Sequence, residues 1–265
     1  MPYRIPSHVT RNNGCARKRS EAKYRNLWPD FAWSPCLGNT GVNLREHIRQ
    51  ADGVLTDMVP VDDWVLSEGR WALDIDATND IIVVTHTAAL NIIGDMTIIG
   101  WIKTTNGSPT GGSILSKYNG DLNTVPYMTY LSAGVPTILF GEGASFAIVQ
   151  AGASIADGTW RHFSATMAGS LLTLYMEAKS RGTDTFSGTR QTNSANLNLG
   201  YSGLAFRDVM IDDIRIYNRA LSVNELQLDY SLGRGGWAEK RKRRVGVAQA
   251  TASVNRDLLL LGVGA

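Results

Sequence analysis

The sequence has few of the features that hold a chain in a membrane or cross-link it. Its 265 residues include two cysteines, Cys15 and Cys36, which excludes a disulfide-dense scaffold or a four-thiolate zinc site and leaves open whether the two pair. The longest apolar run near an end, residues 258–261, is far shorter than the roughly 18 to 20 apolar residues that cross a bilayer. The first 25 residues carry charges instead of an apolar stretch, which is not typical of a secretory signal. We expect a protein with no membrane partner.

Signatures of a transition-metal site and of a glycoside hydrolase are also missing. The four histidines are scattered, and neither His-x-x-x-His with an internal Glu nor Cys-x-x-Cys occurs. A glycoside hydrolase needs two carboxylates roughly 5 to 10 Å apart in a cleft. The nearest pattern is Asp74 and Asp76 with Asp80 beyond, and no strand supplies a glutamate pair. The sequence predicts a non-enzymatic protein, with polysaccharide cleavage through Asp74 or Asp76 as the enzymatic alternative.

Positive charge is concentrated at the two ends of the chain. Residues 1–25 carry seven Lys or Arg and one Glu, and residues 234–265 carry seven Lys or Arg and two acidic residues, so the segment between them has a net charge of −9. Blocks of like charge at chain ends are typical of interaction tails. The tails could neutralise phosphates, but apolar residues beyond the C-terminal basic run favour docking on proteins over nucleic acid. The predicted anchoring residues are Arg17, Lys18, Arg19, Arg241, Lys242, Arg243, Arg244, Leu258, Leu259, Leu260 and Leu261.

Between the tails, short β-branched and apolar runs alternate with turn residues. Runs such as residues 81–85 and 209–217 are separated by Gly, Asn, Asp or Pro, a pattern typical of an antiparallel β-sandwich. The one clear helix signal is Ser222 with Glu225 three residues later. We predict an all-β fold in three parts. These are a basic N-terminal arm (1–25), a sandwich (26–232) with an irregular lead-in (26–66), and a basic, apolar tail (233–265).

A series of sequence blocks resembles the laminin-G-like, concanavalin A-like lectin superfamily. Their order and spacing match the family over roughly 160 residues, which is more specific than any single block. The resemblance implies a two-sheet antiparallel jelly roll with one short C-terminal helix and extended terminal arms. The blocks are residues 72–81, 96–102, 112–117, 156–163 and 211–222.

The residues on either side of these blocks resemble one particular group within the superfamily. Residues 26–41, and the basic run after the predicted helix, are similar to versions of the domain that tailed bacteriophages carry on the virion. The similarity implies a capsid decoration or head-fibre protein on the outer surface of the particle, anchored by its ends to capsid or other virion proteins and to sister copies. The alternative is a glycan- or receptor-binding module of a tail fibre.

The resemblance also implies where ligands would bind. Members of the superfamily often hold Ca²⁺ through Asp and Asn oxygens, and no other cofactor is expected. The alternative is that Asn79 and Asp80 form a turn and that Asp213 pairs with Arg215. Exposed aromatic residues could contact a cell-surface glycan or pack on a neighbouring subunit. The calcium candidates are Asp76, Asn79, Asp80, Asp212 and Asp213, and the glycan candidates are Tyr118, Tyr127, Tyr130 and Tyr201.

Overall fold

The computed structural model describes residues 29–35, 38–76, 79–107, 112–200, 208–231 and 233. The chain divides into two compact units, Met1–Gln227 and Leu228–Ala265. In the second unit, the described residues 228–231 and 233 are helical. Both cysteines and all the predicted anchoring residues lie outside the described residues.

The described part of the first unit is built almost entirely from strands. One helix, α1, spans Pro60–Asp63, a 3-10 turn spans Ala88–Leu90, and a second helix, α2, begins at residue 223. None of the helices in the described part of the chain is long and apolar enough to span a membrane. The strands are β1 Phe31–Trp33, β2 Asn43–Leu44, β3 Gly53–Thr56, β4 Trp64–Ser67, β5 Arg70–Ile75, β6 Ile81–Val84, β7 Met96–Lys103, β8 Gly112–Ser116, β9 Met128–Ser132, β10 Val135–Gly141, β11 Phe146–Gln150, β12 Arg161–Ala168, β13 Leu171–Met176, β14 Lys179–Thr185, β15 Leu197–Leu199 and β16 Val209–Tyr217.

These strands form two antiparallel sheets. Sheet A has the order β14-β13-β12-β7-β16-β5-β4, and β1 pairs with the C-terminal half of β16. Sheet B has the order β11-β10-β9-β8-β15-β6-β3-β2. The sheets approach each other where β11 contacts β13 and β14, and there the backbone N–H of Ile148 donates to Asp184 Oδ2 at 2.9 Å. The predicted two-sheet antiparallel sandwich is confirmed.

The main core lies between the two sheets. β7, near the middle of sheet A, is buried on both faces from Met96 to Ile102, which explains why most of these residues are apolar. At Gly100 the neighbouring side chains leave no room, because an added Cβ would lie 2.5 Å from Ile214 Cδ1 and 2.6 Å from Phe163 Cε1. Glycine is therefore favoured at this position of β7, where the side chains of Phe163 from β12 and Ile214 from β16 occupy the space of a Cβ.

The lead-in, predicted as irregular, contributes strands to both sheets. β1 and β4 extend sheet A, whereas β2 and β3 end sheet B. The buried carboxylate of Glu46 joins these pieces, since it accepts hydrogen bonds from the backbone N–H groups of Ala32 (2.8 Å), Ile48 (2.9 Å) and Arg49. A side-chain carboxylate thus replaces regular sheet hydrogen bonding, and such a bond leaves no periodic pattern in the sequence.

Candidate functional site

An apolar cluster lies on the outer face of sheet B, separate from the main core. Leu139 of β10 stands between Ile138 and Phe140, which both belong to the main core, so the alternation of a strand directs Leu139 outward. The register places Leu139 opposite Met128 of β9 and Ile148 of β11. We call this group the outer-face cluster. Its buried members are Val125, Met128 and Leu139, and its partly buried members are Tyr118, Leu122, Tyr130 and Ile148.

The connection between β8 and β9 covers part of the outer-face cluster and is fixed to β10. The backbone N–H of Gly141 donates to Val125 O at 2.9 Å, and that of Gly143 donates to Asn123 O at 2.7 Å. An added Cβ at Gly141 would lie 2.4 Å from Asn123 O, so the two backbones meet at a glycine. The hydroxyl of Thr124 and the side chain of Asn119 lie 3.2 Å apart within the same connection. The cover is therefore held by backbone hydrogen bonds at defined positions.

Aromatic and polar groups share the accessible part of this face. Phe146 of β11 is 39% exposed, and Tyr118 and Tyr130 are half-buried. The half-buried Tyr130 and the exposed Gln150 lie in one row across three strands, with the buried Thr137 between them. The hydroxyl of Tyr130 is protonated at neutral pH and can donate a hydrogen bond, and burial raises its pKa above the ordinary value for tyrosine. Aromatic faces beside hydroxyl and amide groups suit a sugar, which offers both apolar C–H faces and hydroxyls.

The structure separates the four tyrosines predicted to contact a glycan. Tyr118 and Tyr130 belong to the outer-face cluster. Tyr127 is 0% exposed in the main core, and its hydroxyl donates to Leu90 O at 2.9 Å. Its assignment as a glycan contact was wrong, because an odd spacing along a chain that enters β9 puts Tyr127 and Tyr130 on opposite faces. Tyr201 lies outside the described residues.

Three carboxylates meet at another place in the first unit. Asp76 follows β5, Asp80 precedes β6 and Asp63 ends α1, and one oxygen of each lies within 4.8 Å of the others. The backbone N–H of Asp76 donates to Asp80 Oδ2 at 3.1 Å, and that of Val59 donates to Asp63 Oδ2 at 2.5 Å. Burial, and then the charges of Asp80 and Asp76, raise the pKa of Asp63. We call this group the acidic triad, and its oxygen donors are of the kind that a hard cation prefers.

Asp74 extends the acidic region along β5. One of its carboxylate oxygens is buried without a hydrogen-bond partner in the described structure. Burial, and then the charges of Asp76 and Asp208, raise the pKa of Asp74 to about 6. A carboxylate in this environment is stabilised by added positive charge or by protonation.

The predicted calcium ligands are only partly brought together. Asp76 and Asp80 lie in the acidic triad with Asp63, which no sequence pattern indicated because it comes from a separate element. Asn79 is exposed in the turn before Asp80. Asp212 is buried and accepts hydrogen bonds from Arg70 Nη1 (2.5 Å) and Ser34 Oγ (3.0 Å).

Asp213 also pairs with an arginine. Its carboxylate accepts a 2.7 Å hydrogen bond from Arg215 Nε and a second from Arg215 Nη2. The structure therefore supports the alternative interpretation for Asp213. The prediction that Asp212 and Asp213 bind calcium was therefore wrong, because each carboxylate already forms an ion pair with an arginine.

A buried lysine was missed by the sequence analysis. Lys117 follows β8 and is 0% exposed, with its Nζ 2.7 Å from Ala195 O and 3.1 Å from His86 Nδ1. Burial lowers the pKa of Lys117 to about 8. Only the three-dimensional structure shows this site, because a lysine after a strand is ordinarily solvated.

The two antiparallel sheets and their strand order define a jelly-roll β-sandwich. The chain belongs to the Concanavalin A-like lectin/glucanases superfamily, since the profile of its Laminin_G_3 family matches residues 76–227. No curated protein matches the chain.

Solved structures of similar fold include binding domains of toxins. The binding domain of Paraclostridial Mosquitocidal Protein 1 is 14% identical with a TM-score of 0.64, over 77% of this chain and 52% of that one. The ligand binding domain of botulinum neurotoxin serotype D, in complex with N-acetylneuraminic acid, is 12% identical with a TM-score of 0.57, over 77% and 50%. A Trypanosoma rangeli sialidase is 12% identical with a TM-score of 0.58, over 77% and 32%. The chain thus corresponds to about half or a third of these structures, and the likeness is one of fold.

Proposed function

We propose that this protein is a non-catalytic binding module that recognises a cell-surface glycan through the outer face of sheet B. The observation that carries the proposal is the outer face of sheet B, where Tyr118 and Tyr130 of the outer-face cluster share one face with the exposed Phe146 and Gln150 of β11. Similar folds occur in binding domains of toxins, and one of these is in complex with N-acetylneuraminic acid, which supports the proposal. An acidic sugar or a neutral one would both find aromatic surface and hydrogen-bond donors here.

The test is binding of the full chain to arrays of sialylated and neutral oligosaccharides. Phe146→Ala and Tyr118→Ala should each weaken binding about tenfold, as expected for loss of one aromatic contact worth about 1 to 2 kcal/mol. Leu171→Ala is the matched control, because Leu171 is an exposed apolar residue on sheet A. The proposal fails if no sugar binds, or if the Phe146 and Tyr118 variants bind as well as the control.

We also propose the setting in which this module works. The resemblance of residues 26–41 and of the basic run after α2 to phage-borne versions of this domain suggests a virion protein, a capsid decoration or head fibre displayed outward. The opposite charges of the acidic segment 26–233 and the two basic ends support its anchoring by the ends to capsid proteins or sister copies. A tail-fibre receptor module is the alternative. Deleting residues 234–265 should leave the sandwich folded and prevent its incorporation into particles. Normal incorporation of the shortened chain would contradict the anchoring role of these residues.

The acidic triad is proposed to hold Ca²⁺. The donor set supports this ion, since Asp63, Asp76 and Asp80 offer only oxygen ligands within 4.8 Å of one another, and two of the three residues are buried. Burial, and then the charges of Asp80 and Asp76, raise the pKa of Asp63, and a bound cation would offset both effects. Its role would be to fix the loop between β5 and β6 to α1.

A further inference from the structure

β4 presents an open edge at one end of sheet A. Among the described residues, β4 pairs with β5 alone. Glu68 (φ 54) and Gly69 (φ 79) join the two strands as a two-residue turn with two positive φ angles. In such a hairpin the flanking pair, Ser67 and Arg70, exchanges both ladder hydrogen bonds, so the next residue, Leu66, does not bond to β5. The backbone N–H and C=O of Leu66 therefore point to the open side.

Exposed apolar side chains gather in the same part of the chain. Leu66 is 60% exposed, and Val61 of α1, just before β4, is 78% exposed. An unpaired strand edge beside large exposed apolar residues is a typical site of strand addition. Of the nine exposed large apolar residues in the described part of the chain, five fall within residues 42–66: Val42, Val54, Val59, Val61 and Leu66.

The segment around this edge is acidic. Residues 50–69 contain five Asp or Glu and no Lys or Arg. Arg45 pairs with Asp52, and Lys103 pairs with Glu68. The remaining acidic residues, Asp57, Asp62 and Asp63, have no salt bridge within the described residues. The surface therefore disfavours a second acidic edge and favours a basic strand.

We propose that the β4 edge accepts residues 240–247 of a second copy as an added strand. This segment joins five consecutive cations, residues 240–244, to Val245 and Val247. In an extended strand, side chains two residues apart lie on one face, so both valines can contact Leu66 while the cations approach Asp57 and Asp62. The backbone groups of Leu66 supply the hydrogen bonds of strand addition. The inference rests on the proposed docking role of the C-terminal tail and names the surface on which it docks.

The experiment measures self-association of the full chain by sedimentation velocity. Leu66→Pro removes the N–H that points to the open side and leaves the ladder with β5 intact, because proline is tolerated at such edge positions. We expect Leu66→Pro to raise the dissociation constant of the self-association at least about tenfold. Replacing residues 240–244 by glutamine should do the same. Leu66→Ala is a milder variant, and Leu171→Ala, at another exposed leucine, is its matched control.

The possible outcomes test the β4 edge as the docking surface and residues 240–247 as the docked segment separately. A wild-type chain that stays monomeric at about 100 µM, a concentration that reveals weak complexes, overturns the proposal. Loss of association in the glutamine variant, with normal association in both Leu66 variants, overturns the β4 edge and leaves the docking role of the tail standing. Loss of association in the Leu66 variants alone overturns residues 240–247 as the added strand. Glycan binding should be unchanged in every variant.

Discussion

Replacing the buried Lys117 by methionine should stabilise the protein at neutral pH and destabilise it at high pH. The Nζ of Lys117 lies 2.7 Å from Ala195 O and 3.1 Å from His86 Nδ1, so the ammonium has two partners, neither of them a carboxylate. Methionine fills a similar volume without a charge. The variant therefore exchanges a desolvated charge for a neutral side chain and loses two hydrogen bonds.

The magnitude follows from the pKa of Lys117. Burial lowers it from 10.5 to about 8, which corresponds to about 3 kcal/mol at pH 7, where the folded chain carries the charge. Each of the two lost hydrogen bonds reduces this gain in the free energy of unfolding by about 1 kcal/mol. We expect Lys117→Met to raise the free energy of unfolding by about 1 kcal/mol near neutral pH.

The difference in free energy of unfolding between variant and wild type changes sign with pH, because the pKa of Lys117 is lower in the folded chain than in the unfolded chain. Between about pH 8 and pH 10.5 the unfolded chain binds a proton that the folded chain has released, so wild-type stability rises with pH by up to about 1.4 kcal/mol per pH unit. The variant lacks this rise. Near pH 10.5 it should be about 2 kcal/mol less stable than wild type, through the hydrogen bonds that it has lost.

Urea denaturation followed by tryptophan fluorescence, from about pH 7 to about pH 10, gives the difference in free energy between wild type and variant. Taking this difference cancels the titration of groups common to both chains. Lys179→Met is the matched control, since Lys179 is exposed on β14. A difference for Lys117→Met that stays constant with pH would refute the reasoning, because it would mean that the ammonium is solvated.

Two further predictions concern the carboxylates. Arg70→Met should lower the free energy of unfolding by about 3 to 5 kcal/mol, because it leaves the buried Asp212 without its ion-pair partner. Adding Asp212→Leu should recover part of this loss, since it removes the unpaired charge. Equal free energies of unfolding for the single and double variants in urea would contradict this prediction. For the acidic triad, millimolar calcium should raise the Tm of the wild type and not that of Asp80→Asn, with Asp213→Asn responding like the wild type. A wild-type Tm that is the same in calcium and in a chelator would show that the triad holds no such ion.

The sequence alone determined the features that depend on neighbouring residues. The alternation of short apolar runs and turn residues predicted two antiparallel sheets, and the helix start at Ser222 followed from Glu225 three residues later. In the structure, Glu225 Oε2 accepts a 2.8 Å hydrogen bond from the backbone N–H of Ser222, and the backbone N–H of Glu225 lies 3.4 Å from Ser222 Oγ. Such signals are readable because both partners lie within one turn of chain.

Only the tertiary structure decided which side chains meet and which face they occupy. The odd spacing of Tyr127 and Tyr130 implies opposite faces, but only the structure shows that Tyr127 lies in the main core, where its hydroxyl donates to Leu90 O. Asp63 joins Asp76 and Asp80 because α1 lies beside the end of β5, and Asp212 is held by Arg70 from 142 positions earlier in the chain. These contacts depend on strand order and register, which arise from the packing of the whole core and leave no local periodicity in the sequence.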